Sequence, residues 1–352
     1  MKHSSHVKNN TMGIRGLHTC LLKTIPDSIQ SVDWSQWRGK RLGIDIQCFL
    51  YRAIANQLNP LEVIANQIVA FRSLGITPVY VFDGKPPTEK DSVTQKRRQE
   101  RQDAIDLLES LRNQLTDVCD EIVRTDLLSK IHEIESKFPV LSFEIKDEIK
   151  KFLYASGSMF VNPNCEADAL LAYWVRRGVL DGVVSFDLDF IPRGCSLLVP
   201  KHISAKPGES WYLYDPVTIC KGLTMNCDQF VDFCVLLGSD YTPNLPIVAW
   251  KTALSGIQRF ESLATIWGRH TFSNWRRNDT ASQFNMEVEQ LKKAKAILKG
   301  EFDDPDTLME SVQWAKWNAG IQSPELVALD EFRRTYGTNW NPEWWTILQQ
   351  TS

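Results

Sequence analysis

Seven carboxylates in this 352-residue chain stand where an open α/β sheet would place a reactive site: Asp45, Asp83, Glu166, Asp168, Asp187, Asp189 and Asp240. Asp45 ends the apolar run RLGID, Asp83 ends ITPVYVFD, and Asp187 with Asp189 ends VVSFDLDF at 183–190. Glu166 and Asp168 open the helix-favouring stretch CEADALLAYW, and Asp240 follows an apolar run in LLGSDY. On a strand, residues two apart share a face, so Asp187 and Asp189 are expected to point the same way. Open parallel sheets bind ligands outside the carboxyl ends of their strands, which brings all seven acids towards one crevice. Such a set would repel itself and take up protons unless cations joined it. Hard divalent ions with oxygen ligands, Mg²⁺ above all, match these donors. Two of them roughly 3.5–4 Å apart are a recurring device for phosphodiester cleavage. Taken singly, each acid has a plainer reading. Glu166 and Asp168 could serve only a helix dipole, and Asp45 and Asp83 only a turn. Their joint placement favours chemistry.

The elements that must hold these residues are legible from periodicity. Residues 41–46 and 76–83 read as strands, and 47–74 between them has helical spacing at Leu50, Ile54, Leu58, Ile64, Ile68 and Phe71. That is a β–α–β unit of the length a right-handed parallel crossover needs. Strands are expected again at 159–161 and 182–185, with a helix at 166–178 between them, and at 196–199 and 211–214. Residues 88–150 are polar, charged and helix-favouring, and basic residues crowd their start at Lys90, Lys96, Arg97, Arg98 and Arg101. From Cys227 onward the pattern is helical, with a basic stretch LKKAKAILK at 291–299.

Composition narrows the class. Hydrophobic residues make up 43% and charged residues 24%, the values of a globular protein with ample core. No apolar run approaches the ~20 residues of a membrane span, and MKHSSHVKNNT carries no apolar segment of a secretory signal. The eight cysteines form no CxxC pair and the six histidines are scattered, which argues against a zinc knuckle and for an intracellular, reduced protein. Cys227 and Cys234, one heptad apart, are expected in the core of a helix. A formal net charge of −3 excludes a uniformly basic nucleic-acid binder but not basic patches beside an acidic site.

Six stretches in order, MGIRGL (12–17), GIDIQCFLY (43–51), VFDGKPP (81–87), CEADALLAY (165–173), SFDLDF (185–190) and LLGSDY (236–241), resemble the motifs of the flap endonuclease/XPG-type family of 5′ nucleases. The resemblance spans about 12–253. It implies an α/β, PIN-like, mostly parallel central sheet flanked by helices, with a helical arch insertion and a helical C-terminal region. The implied division is an extension at 1–11, a nuclease core at 12–226 carrying a gateway and arch at about 86–150, and a helical region at 227–352 with a degenerate helix-hairpin-helix motif. The family's activity is cleavage of DNA near single-strand/double-strand junctions, as a 5′ flap endonuclease or 5′–3′ exonuclease, with two Mg²⁺ ions for which Mn²⁺ can substitute. Its metal carboxylates match the same seven positions. Its gateway cations match Lys90 and Arg97 as catalytic groups on the scissile phosphate. Its DNA contacts match Gly13, the stacking aromatic Tyr51, and Lys251. The solvated-face reading is kept for Arg98 and Arg101, as is usual in a run such as QKRRQERQ.

The chain also departs from the family. Eleven residues precede Met12, where the family begins, so either translation starts at Met12 or a polar tail must be led away from the junction. Where the family has a glycine-rich, potassium-binding hairpin, this chain has IVAWK at 247–251, with Ile247 and Ala249 in place of glycines. Duplex grip would then fall to Lys251 and the 291–299 stretch and weaken steeply with salt. WWTILQQTS at the C-terminus does not form a sliding-clamp peptide. The expected partner is branched or 5′-ended DNA, with no membrane and no clamp. The expected protein is a monomer acting in the nucleus of a cellular eukaryote or otherwise at a site of DNA replication. A 5′–3′ exoribonuclease and an inactive nuclease-like scaffold or RNA-regulatory protein are the competing readings, the second opposed by the full set of seven acids.

Overall fold

The computed structural model describes residues 13–85, 91–117, 120–203, 210–242, 248–267 and 281–301, with residues 329, 334–335 and 346–348. Its centre is a seven-stranded sheet of β1 (Ile29–Ser31), β2 (Arg41–Asp45), β3 (Thr77–Val81), β4 (Met159–Val161), β5 (Gly182–Val184), β6 (Leu197–Pro200) and β7 (Trp211–Tyr214), in the order β1-β7-β6-β5-β2-β3-β4. The five contiguous strands β6, β5, β2, β3 and β4 are mutually parallel, and β7 pairs antiparallel with both β6 and the edge strand β1. The sequence reading contained no β1. Three residues with one half-buried and two exposed positions leave no apolar run to detect. From β2 the chain moves outward to β3 and β4, then returns to the other flank of β2 for β5 and β6. The β2/β5 boundary is therefore the point where winding reverses, and a crevice opens above it.

The parallel strands are buried on both faces and read as continuous apolar runs. Leu42, Gly43, Ile44 and Asp45 of β2 are all buried. Gly43 has no room for a side chain: a Cβ there would stand 2.3 Å from Leu171 and 2.7 Å from Leu180. The strand and the helix α7 (Ala167–Arg176) thus pack closely, Trp174 among the fully buried residues. The helical stretch expected between β2 and β3 is two helices, α2 (Ile46–Ala55) and α3 (Pro60–Ser73). Pro60 at the first turn disfavours helix in the residue before it, and the Asn59 side chain caps α3 by accepting from Leu61 N–H at 2.9 Å. Leu58, expected on the helix's apolar face, lies in the break and is exposed.

The charged insertion forms α4 (Asp91–Asp117), α5 (Glu121–Lys137) and α6 (Phe143–Ala155). Only α4 and α5 have a core of their own, through Leu108, Leu111, Leu127 and Ile131. The third helix buries Ile149, Phe152 and Leu153 in the main core and packs against α3 and β4. A helix α1 (Leu17–Thr24) precedes the sheet, and after the sheet come α8 (Pro216–Gly222), α9 (Cys227–Leu237), α10 (Trp250–Phe260), α11 (Leu263–Trp267) and α12 (Ala281–Lys299). Cys234 is buried on α9 as expected, but Cys227 is exposed, because it occupies the helix's first position beside the capping box of Asn226 and Gln229. Among the described residues no helix is long and apolar enough to cross a membrane.

Candidate active site

Each acid reaches the crevice by a different local device. Asp45 ends β2 and begins α2. Its side chain makes no helix cap and instead accepts a 2.8 Å hydrogen bond from Ser185 Oγ, on the segment leaving β5. Asp83 leaves β3 and is clasped to the α7 entrance, where Gly84 N–H donates to Cys165 O at 2.8 Å and Lys85 N–H to Asn164 O at 3.0 Å. A Cβ on Gly84 would stand 2.1 Å from Pro163 O, so glycine alone permits this approach. The Oδ1 of Asp83 accepts from Ala167 N–H at 3.0 Å, capping α7 from outside. Glu166 holds the N-cap position of that helix but makes no side-chain cap, and Asp168 follows in its first turn. Glu166 therefore does not act as a hydrogen-bonding cap, though both acids stand at the positive end of the helix dipole.

Asp187 and Asp189 do not lie on the strand. β5 ends at Val184, and Leu188–Phe190 is a 3₁₀ turn that Asp187 caps by accepting from Asp189 N–H at 2.9 Å. The two acids nevertheless converge, and Gly13 shows where. Its φ of +82° belongs to the left-handed region, and a Cβ would stand 2.1 Å from Asp187 Oδ1 and 2.4 Å from Asp189 Oδ1. The segment from Gly13 is therefore a backbone wall of the acidic site, held in turn by Arg15 N–H donating to Gly238 O at 3.2 Å, just before Asp240.

These elements enclose a cleft of about 700 Å³ lined by Asp45, Asp83, Glu166, Asp168, Asp187 and Asp240, with Asp189 buried beneath it against Gly13. Burial first, then repulsion from Asp83 and Asp168, pushes the Asp45 carboxyl up to about 8. Among the described residues, no group of three or more His, Cys, Asp or Glu side chains already stands in a metal-holding arrangement. An open, all-oxygen cleft of this kind suits a cation that keeps several waters, as Mg²⁺ does, better than one stripped by a closed cage. Cys48 also lines the cleft, but burial and the Asp45 charge push its thiol well above its usual range, leaving it inert as a nucleophile.

A cationic side faces the acids. Arg97 on α4 reaches across and pairs with both oxygens of Asp240, at 2.9 and 3.1 Å. Arg101, one turn further along, donates to Tyr51 OH at 3.4 Å with its guanidinium 5.1 Å from the ring centre. Arg101 is thus a cleft residue, contrary to the solvated-face reading, because i and i+4 share a helix face. Arg52 stacks on Phe186 at 3.9 Å, and Arg15, Arg52 and Lys137 complete this side. Sequence reasoning missed them together with Gln47; α2 and α5 pack on each other, which no local pattern announces. Tyr51 lines the cleft and is half-buried. Lys90 lies outside the described residues.

The two segments expected to grip the duplex lie apart from the cleft. Lys251 is exposed at the start of α10, beside Trp250, and does not line the cleft, while 243–247 of the hairpin lie outside the described residues. The 291–299 stretch is not a free basic face. Lys295 Nζ pairs with Asp228 and Asp232, both at 2.8 Å, and Lys299 with Asp228 at 3.0 Å and Glu301 at 3.1 Å. These bonds lock α12 onto α9, and the hydropathy of a basic run could not reveal that its partners lie some sixty residues upstream.

The chain matches the XPG N-terminal domain over residues 12–104 and the XPG I-region over 157–240, together about half its length. It is 29% identical over 324 residues to flap endonuclease 1 of Trypanosoma cruzi, covering 84% of this chain and 78% of that protein. It is also 29% identical over 271 residues to flap endonuclease 1 of Theileria parva, covering 72% of this chain and 52% of the relative, so it spans only about half the length of that protein. In fold it is similar to the catalytic core of Rad2 in complex with DNA substrate, with a TM-score of 0.59, 16% identity, and coverage of 94% of this chain and 97% of that one. Both XPG regions are matched in order, and acids from both converge on one crevice at the winding reversal of a mostly parallel sheet: the chain belongs to the XPG-type flap endonuclease family.

Proposed function

We propose that this protein is a Mg²⁺-dependent, structure-specific 5′ nuclease that hydrolyses DNA phosphodiester bonds near single-strand/double-strand junctions in replication or repair. The observation that carries the reading is the gathering of acids from separate strand and helix ends into one cleft roofed on one side by a cationic helix. The donor set fits a pair of divalent ions. It is all oxygen, burial and then repulsion from Asp83 and Asp168 raise Asp45, and Gly13 leaves open the space a side chain would fill. Bound there, such ions would supply a deprotonated water and charge stabilisation on the scissile phosphate. Asp45, Asp83, Glu166, Asp168, Asp187, Asp189 and Asp240 would hold them.

The chain's own groups do the remaining work. Arg97, released from Asp240, places two N–H donors on the phosphate, the fork geometry that suits a phosphoryl group. The half-buried ring of Tyr51 supplies a stacking face, worth typically ~1–3 kcal/mol per base, which offsets the few kcal/mol needed to unpair the end of a duplex. Arg101 holds that ring and Gly13 lets the substrate backbone approach Asp187. Lys90, seven residues before Arg97 in the sequence, is assigned with it to phosphate neutralisation. Lys251 is left a peripheral contact with the duplex.

The deciding experiment is cleavage of 5′-labelled flap, nicked, single-stranded and RNA substrates with Mg²⁺, Mn²⁺ or EDTA. The expected result is metal-dependent cutting of flap and 5′-ended DNA over RNA. No metal-dependent product from any substrate would refute the reading, and preferential digestion of RNA would transfer it to the exoribonuclease class.

A further inference from the structure

Gln47 lies on the first turn of α2, two residues after Asp45, and has no role in the account above. Its side chain is 7% exposed and lines the acidic cleft. Its Nε2 donates to Asp83 Oδ2 at 2.6 Å, a short bond of the kind made to a charged acceptor. Its Oε1 is buried and has no hydrogen-bond partner. Turning the amide over would set that oxygen against the Asp83 carboxylate, so chemistry fixes the orientation: nitrogen to Asp83, oxygen elsewhere. A buried acceptor without a donor is costly and rare enough to require a cause. Asp83 is gripped from two sides, since its Oδ1 already accepts from Ala167 N–H at 3.0 Å.

We propose that Gln47 is a positioning residue of the metal site, orienting Asp83 through Nε2 and presenting Oε1 to the hydration shell of a bound divalent cation. This rests on the metal-dependent reading of the same cleft. A cation's waters are donors, and a carboxamide oxygen accepts from them without adding another negative charge to a crowded acidic set. Glutamate at this position would turn a like charge on Asp83, and an apolar side chain would leave that carboxylate without one of its two holds. Partners of this kind typically shift metal affinity 10- to 100-fold.

The test is Mn²⁺ titration of the free protein, followed by the electron-spin signal of unbound Mn²⁺, for wild type and Gln47→Met. The variant is expected to bind Mn²⁺ about tenfold more weakly or worse. The Mg²⁺ concentration for half-maximal flap cleavage should rise in parallel, with the rate at saturating Mg²⁺ recovering to within a few-fold. A cooperative melting transition in EDTA establishes that the variant is folded. Should Gln47→Met fail to fold, Gln47→Ser, too short to reach Asp83, decides by the same criterion. Mn²⁺ affinity within twofold of wild type in either folded variant overturns the assignment of Gln47 alone. A wild-type protein that takes up no Mn²⁺ overturns the metal reading and this inference with it.

Discussion

Acidic and basic groups meet in two places in this molecule, with opposite results. Between α9 and α12, Asp228 and Asp232 are matched by Lys295 and Lys299 at 2.8–3.0 Å, and the bonds from Lys295 and Lys299 hold the Asp228 carboxyl below its usual range. The buried Asp232 is further satisfied by Leu263 N–H at 3.0 Å. In the cleft, burial and like charges push Asp45 up to about 8, although Arg97 stands close enough to pair with Asp240. One cluster is balanced by the chain itself and serves packing. In the other the Asp45 carboxyl stays strained, which on the proposed function a bound cation would relieve. An acidic residue is therefore informative in proportion to how poorly the protein neutralises it.

The contrast can be broken from either side. Asp187→Ala takes a carboxylate from the unbalanced cluster. It is expected to lower flap cleavage on the order of 10³-fold or more, since metal-supplied stabilisation amounts to several kcal/mol. DNA affinity measured in EDTA should stay within a few-fold; near-normal turnover would remove Asp187 from the site. Arg97→Ala removes the cation that bridges to Asp240 and should slow cleavage about 10²-fold at saturating substrate. An unchanged single-turnover rate would make that pair an ornament of the surface.

On the balanced side the expected signature is stability without catalysis. Lys295→Met leaves the buried Asp232 with an uncompensated charge and should destabilise by about 3 kcal/mol in urea unfolding. The salt dependence of its DNA affinity should match wild type. A salt slope reduced by about one would instead return the 291–299 helix to the DNA interface.

The smallest effect concerns pH. Asp45 has a folded pKa raised from 3.8 to about 8, so metal-free protein is favoured while that group stays protonated in both states. Stability from this group is fully present below about pH 4 and is lost as pH rises through about 8, because the unfolded chain ionises first. Asp45→Asn removes the loss. In EDTA at pH 8 the variant should melt at least about 2 °C higher than wild type, with the gap closing towards pH 4. A gap that stays constant across that range would show that Asp45 is not the strained group.

Much of the site was readable because its acids are tied to strand ends, where an apolar run stops at a fixed chemistry. Asp45 and Asp83 needed only that landmark, whereas Asp187 stands beyond the end of β5 and Asp240 beyond the helix α9, and the ordered motifs placed all four in one family. The cationic side was not readable in the same way. Arg101 and Arg98 stand in one run of charges, and only the packing of α4 over α2 separates a cleft residue from a solvated one. Gln47 gave no signal at all, since a glutamine on an apolar helix turn is conspicuous only once its neighbour is known to be Asp83. The split between α2 and α3 was present in the sequence as Asn59-Pro60 and was overrun by a continuing apolar spacing.

What the polypeptide sequence determined alone was a mostly parallel α/β sheet and the identity of the acids at its edge, because strand periodicity and motif order are local properties that survive without contacts. Which charges remain unbalanced was decided by tertiary structure. Compensation acts over a few ångströms between residues up to 143 positions apart, as between Arg97 and Asp240, and such distances exist only after folding.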